Sequence, residues 1–115
     1  SPMAFGVLSG KYINGTADDN TRLKLFPRFA RYSSDQSTEA TKRYLKIAED
    51  NGMTLAQMSL AFVTQQPFVL SNIIGATNLD QLKENIKSID TELSEETLNR
   101  QGFFNVKLID AIYCA

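Results

Sequence analysis

A chain of 115 residues (12.8 kDa) with 43% hydrophobic and 22% charged residues has the usage of one globular domain, not of a disordered segment. Twelve Lys and Arg against thirteen Asp and Glu leave a formal charge of −1, which argues against whole-molecule attraction to nucleic acid. Histidine is absent and cysteine occurs once, at Cys114, so a Ser-His-Asp triad, a Cys-His pair, a zinc site and an internal disulfide are excluded.

The opening, Ser1 to Tyr12, reads S-P-M-A-F-G-V-L-S-G-K-Y. A Pro and two Gly within its first ten residues disfavour a long helix, so it is read as turn or loop with a short helical piece. Pro2 lacks a backbone donor and suits the end of a strand better than its middle. Asn14 to Thr21 mixes Gly, Asp, Asn and Thr without periodicity and reads as an exposed, mobile loop. From Arg22 to Tyr32 the composition shifts: Arg22, Lys24, Arg28 and Arg31 alternate with Phe26, Phe29 and Tyr32, with no acid between them. Such an arm can grip an anion or stack on a flat ring. It can equally pack its rings on the core and leave its charges in water.

The middle is helical. Ala40, Tyr44, Ile47 and Ala48 recur at helical spacing, Ser34 or Ser37 is placed to cap the start, and Gly52 sits where a left-handed residue ends a helix. Thr54 and Gln57 have the S/T-x-x-E/Q spacing that opens the next helix. Leu55, Met58 and Phe62 form its apolar stripe, a core pattern, and Pro67 stops it. Phe68 to Ile74, ending at Gly75, reads as a short buried strand. Asn78 then caps a helix with Gln81 at its third position and Leu79, Leu82 and Ile86 on one face. Ser94, Glu95 and Glu96 start a last short helix, with acids against the positive end of its dipole, and Gly102 ends it. The tail from Phe103 to Ala115 is strongly apolar and fits a helix slightly better than a strand.

Chemistry is best placed at the strand, G-A-T-N, helix succession over Ile73 to Asn85. Gly75 lets backbone approach a ligand closely. The Thr77 hydroxyl and the free amides of the following helix favour a phosphate, while Gln81, Glu84 and Asn85 are spaced to read polar edges of a sugar or base. Alone the pattern is also that of an ordinary capped helix.

Two separated segments, S-P-M-A-F-G-V-L-S-G-K-Y and I-I-G-A-T-N-L-D-Q-L-K-E-N-I, together resemble the C-terminal third of the aldo-keto reductases, in the bacterial Tas-like branch related to potassium-channel β subunits. The resemblance runs from Ser1 to about Leu98 and takes in R-F-A-R-Y and T-L-A-Q-M-S-L-A-F-V. It implies α/β ancestry, with residues 1–98 covering roughly the seventh and eighth β/α units of a (β/α)8 barrel and residues 99–115 a divergent apolar tail. It further implies NADP(H) as cofactor. Ser1, Pro2, Met3, Ala4 and Phe5 would end the seventh strand and meet the nicotinamide and pyrophosphate side. Lys11 would neutralise phosphate and Arg22 would close over the cofactor. Gly75 and Thr77 would hold the 2′-phosphate, and Gln81, Glu84 and Asn85 the adenosine. Many relatives carry Arg or Lys where this chain has Thr77.

The family's Tyr general acid, with its Lys, Asp and usual His, comes from the first half of the barrel, and Tyr12, Tyr32, Tyr44 and Tyr113 match other parts of the pattern. The expectation is therefore a truncated, NADP-dependent aldo-keto reductase that keeps the cofactor-binding end of a carbonyl reductase without independent catalysis. Detached strands seven and eight would leave apolar surface exposed, so a helix-rich, repacked or oligomeric form is expected. The tail after Gly102 would pack on a second copy, or a missing barrel half would cover the same surface. The alternative is a repacked helical oligomeric module that binds no nucleotide; a third reading makes Arg22 to Tyr32 an anion- or nucleic-acid-binding arm. The single Cys suits a reducing compartment, no apolar run reaches the ~20 residues that span a bilayer, and no signal-peptide pattern opens the chain. A cytoplasmic protein without membrane or nucleic-acid partners is expected.

Overall fold

Two helices carry the core, and both are started by side-chain caps. The computed structural model describes residues 2–100, the side chains at 29–31 excepted. Helix α1 (Arg22–Leu25) is a single turn, flanked by 3-10 segments at Ala4–Ser9 and Pro27–Ser33. Helix α2 (Asp35–Asp50) begins where the Ser34 hydroxyl accepts the Ser37 amide. It ends at Gly52, whose φ of 67° only a residue without Cβ adopts freely. Helix α3 (Leu55–Thr64) opens with a reciprocal pair: the Gln57 amide donates to the Thr54 hydroxyl and the Thr54 amide donates to the Gln57 side chain. Helix α4 (Leu79–Lys87) is capped by Asn78, which accepts the Gln81 amide, and runs on into a 3-10 turn, Ser88–Asp90. Residues 95–100 are helical, started by the Ser94 hydroxyl on the Thr97 amide.

Tyr44, Ile47, Ala48, Leu55, Met58, Ala61 and Leu93 form one buried cluster, with Ala40, Phe62 and Leu98 packed against it. Each fully buried Ile or Met side chain contributes about 1.5–3 kcal/mol. Burial pushes the Tyr44 hydroxyl up to about 12. Polar ties close the periphery: Thr97 donates to Asn51, Leu93 N–H to Gln65, and Arg100 pairs with Asp50 at 3.2 Å. These pin the end of the described chain to α2 and α3.

The expected strands are not formed among the described residues. An extended segment becomes a strand only beside a neighbour that takes up its N–H and C=O groups, and none is offered to Phe68–Ile74. That segment is irregular instead. The Val69 amide turns back to Gln66 O, and the Asn72 side chain donates to Leu60 O. Phe68, Leu70 and Ile73 are exposed, not buried. The opening is likewise no strand end: Gly6 N–H bonds Met3 O at 2.8 Å, and Ala4 (φ 44°), Phe5 (62°) and Gly6 (93°) all lie in the left-handed region. Ala4 and Phe5 pay strain of about 1–3 kcal/mol each to hold it. The described residues therefore form a helical assembly in which no partial barrel is seen. Gly102 and the tail 103–115 lie outside them, as does Ser1. No helix among the described residues is long and apolar enough to cross a membrane.

Candidate functional site

Two groups of the candidate residues are assembled, one around the opening turn and one at the start of α4, and the Ala4–Ser9 segment and α4 both pack against α3. The first gathers around the strained opening turn. Phe5 stacks on Tyr32 with centroids 6.0 Å apart and planes 5° from parallel. The Arg22 guanidinium lies 5.3 Å from the Phe5 centroid, a cation over a ring face. Lys11 sits in the same way 5.3 Å over Tyr12. Its terminal nitrogen would lie 3.8 Å from a Cβ added at Gly6. The Tyr12 hydroxyl accepts the Leu23 amide at 3.4 Å, tying the opening turn to α1. Phe5, Lys11 and Arg22 are thus brought into one neighbourhood, with Pro2, Met3 and Ala4 in the turn that leads to them.

The second group lies at the start of α4. Gln81 Oε1 accepts from both the Thr77 amide (3.0 Å) and the Thr77 hydroxyl (2.9 Å). Asn85 donates to Gly75 O at 3.1 Å. Glu84 accepts from the Thr54 hydroxyl at 2.6 Å, the same hydroxyl that caps α3. The five candidates, Gly75, Thr77, Gln81, Glu84 and Asn85, thus form a shelf at the start of α4 held by three separate ties: Thr77 to Gln81, Asn85 to Gly75 and Thr54 to Glu84. A Cβ at Gly75 would meet nothing within 4 Å, so the space before that backbone is open. The donors on Thr77 face a cost: both are already held by Gln81, and an incoming phosphate has to displace that amide oxygen.

Tyr12, Tyr32 and Thr54 are the positions that sequence reasoning did not place in these groups. Tyr32 carried a signal, since it closes the basic-aromatic run; nothing in the sequence links Thr54 to Glu84, thirty residues away. Among the described residues no three His, Cys, Asp or Glu gather as for a metal. The arrangement sets two cations over aromatic rings and places polar side chains at the start of α4.

Comparison with known proteins gives the family. The model of the "Aldo/keto reductase family" matches residues 1–101. Protein tas of Escherichia coli (strain K12) is 51% identical over 98 residues, 85% of this chain. A probable voltage-gated potassium channel subunit beta of Oryza sativa subsp. japonica is 40% identical over 93 residues, 78% of this chain. An L-glyceraldehyde 3-phosphate reductase of Escherichia coli (strain K12) is 31% identical over 94 residues, again 78%. The chain spans 28% of the length of Protein tas and of the rice protein, and 27% of the reductase.

Proposed function

The chain belongs to the aldo/keto reductase family, and from that premise we propose that it presents the NADP(H)-binding end of such an oxidoreductase, without independent catalysis by these 115 residues. The observation that carries the reading is the shelf at α4, in which Thr77 is tied to Gln81 and Gly75 to Asn85, with open space at Gly75. The residues present fit the group. Gly75 leaves room for backbone approach, Thr77 offers an amide and a hydroxyl, and Gln81, Glu84 and Asn85 supply both donors and acceptors for the polar edges of adenosine. Arg22 adds positive charge beside the Phe5–Tyr32 pair and Lys11 beside Tyr12, suited to pyrophosphate and a planar ring.

Bound NADPH would supply the hydride for carbonyl reduction. The chain's own part is to hold and orient. Thr77 and Gly75 fix the phosphate end, Asn85 and Gln81 select the base, and the Phe5–Arg22–Tyr32 stack limits water at the other end. Lys11 and Arg22 offset the phosphate charge. Carbonyl reduction also needs a proton donor, and on this reading that group is not among these 115 residues.

Fluorescence titration of the full chain with NADPH tests the proposal. Saturable binding is expected, weaker by about tenfold or more for NADH if the 2′-phosphate contributes as charge-assisted contacts do. Absence of binding at millimolar NADPH would leave the second reading, a helical interaction module without nucleotide. That reading is favoured by one observation: the apolar stripe of α4 faces solvent.

A further inference from the structure

Glycine follows asparagine at two places, Asn14–Gly15 and Asn51–Gly52. Both pairs are exposed, and both glycines lie in the left-handed region, with φ of 70° and 67°. An asparagine before a residue without Cβ is open to attack on its own side chain, because nothing shields the next backbone nitrogen from the side-chain carbonyl carbon. The residue types alone rank the two pairs equally. Their hydrogen bonds separate them.

At Asn51 every reacting group is held. Its side-chain nitrogen donates to Ile47 O at 2.7 Å, its side-chain oxygen accepts from the Thr97 hydroxyl at 3.0 Å, and the Gly52 amide donates to Glu49 O at 3.0 Å. Ring closure there has to break all three bonds, and at about fivefold each their loss amounts to a factor of roughly 100. At Asn14 the flanking amides are held and the pair itself is not. The Ile13 and Asn14 amides donate to Gly10 O and the Thr16 amide to Lys11 O, each at 3.0 Å. Among the described residues, the Gly15 amide, the Asn14 backbone oxygen and the Asn14 side chain make no hydrogen bond. A Cβ at Gly15 would meet nothing within 4 Å, so the peptide between the two residues can turn without a clash or a lost bond.

We propose that Asn14 is a site of spontaneous deamidation, where the folded chain modifies its own backbone well before Asn51. The Gly15 nitrogen gives its proton to solvent base and attacks Asn14 Cγ. The new C–N bond closes a succinimide ring while the bond to the side-chain nitrogen breaks, and that nitrogen takes up a proton and leaves as ammonia. Water then opens the ring at either carbonyl, giving aspartate or, where the backbone is rerouted through the side chain, isoaspartate. No electron is transferred and water is the only co-reactant. The product carries a carboxylate in place of a neutral amide, adding one negative charge to a chain of formal charge −1. The isoaspartate form also lengthens the turn that Thr16 closes on Lys11.

Peptide mapping by mass spectrometry of the full chain, aged in neutral buffer, tests the proposal. Asn14 should convert to an aspartate and isoaspartate mixture at least about 30-fold faster than Asn51. A protein-isoaspartate methyltransferase should label the peptide that holds residues 12–22. Concentrated urea frees Asn51 from its three bonds and should lower the ratio of the two rates at least about tenfold. Asn14→Gln, whose longer side chain closes its ring far more slowly, should remove the fast product and leave the circular dichroism unchanged, because the position is exposed. A native ratio below about 30, a ratio that urea lowers less than about tenfold, or a fast product that survives Asn14→Gln would each overturn the proposal.

Discussion

Thr54 offers the sharpest mutational test, because one hydroxyl performs two tasks. It accepts the Gln57 amide as the cap of α3 and donates to Glu84, holding α4 by its polar side. Thr54→Val keeps the shape and removes both. Loss of an N-cap costs about 1 kcal/mol. The bond to Glu84 is short, at 2.6 Å, and to a carboxylate, yet it is exposed to water. A net loss of about 1 kcal/mol is therefore the reasonable figure for it. Thr54→Val should then cost about 2 kcal/mol, Glu84→Ala about 1, and the double variant no more than Thr54→Val alone. For a domain of this size, each kcal/mol lowers the melting temperature by about 4–8 °C. Urea unfolding followed by circular dichroism gives all four corners of the cycle. A coupling energy below about 0.3 kcal/mol would refute the tie between the α3 cap and α4.

Met58→Ala, at a side chain with no exposure, should cost about 2–5 kcal/mol and leave the chain largely unfolded at 37 °C, measured by thermal denaturation. Gly75→Val should leave stability within about 0.5 kcal/mol, since its Cβ would meet nothing within 4 Å, while raising the Kd for NADPH at least about tenfold in a fluorescence titration. Arg22→Ala should weaken NADPH binding and flatten its salt dependence, with little change in fold. Tyr44 is held protonated by burial, with its ionisation pushed up from 10.0 to about 12. Its stabilisation is complete below pH 10 and is lost as pH rises towards 12, because the unfolded chain then releases a proton that the folded chain keeps. Tyr44→Phe should therefore lose less stability between pH 9 and 11 than wild type in urea titrations.

Elements defined by local chemistry were legible in the sequence. The caps at Ser34, Thr54, Asn78 and Ser94 are short-range hydrogen bonds between neighbouring residues, and each is present. The periodic core of α2 and α3 followed for the same reason: Tyr44, Ile47, Leu55 and Met58 face one another once both helices form. The strand at Phe68–Ile74 was not legible, because β-branched composition reports a preference, and a ladder needs a partner that the described residues do not provide. The burial of helix α4 was not legible either. Leu79, Leu82 and Ile86 do share a face, but polar ties to Thr54 and Gly75 settle which face turns inward. Of the candidate site, spacing alone grouped Gly75, Thr77, Gln81 and Asn85, whereas the stack of Phe5 on Tyr32 joins residues far apart in the chain.

On the proposed function, the turn at Phe5 and the shelf at Gly75 serve one dinucleotide. An amide-resolved nuclear magnetic resonance titration of the full chain with NADP+ tests it most directly. Shifts at Phe5, Gly6, Gly75, Thr77 and Gln81 that saturate together with one dissociation constant are the predicted result. Shifts at one cluster only, or at neither in the presence of millimolar nucleotide, would contradict it.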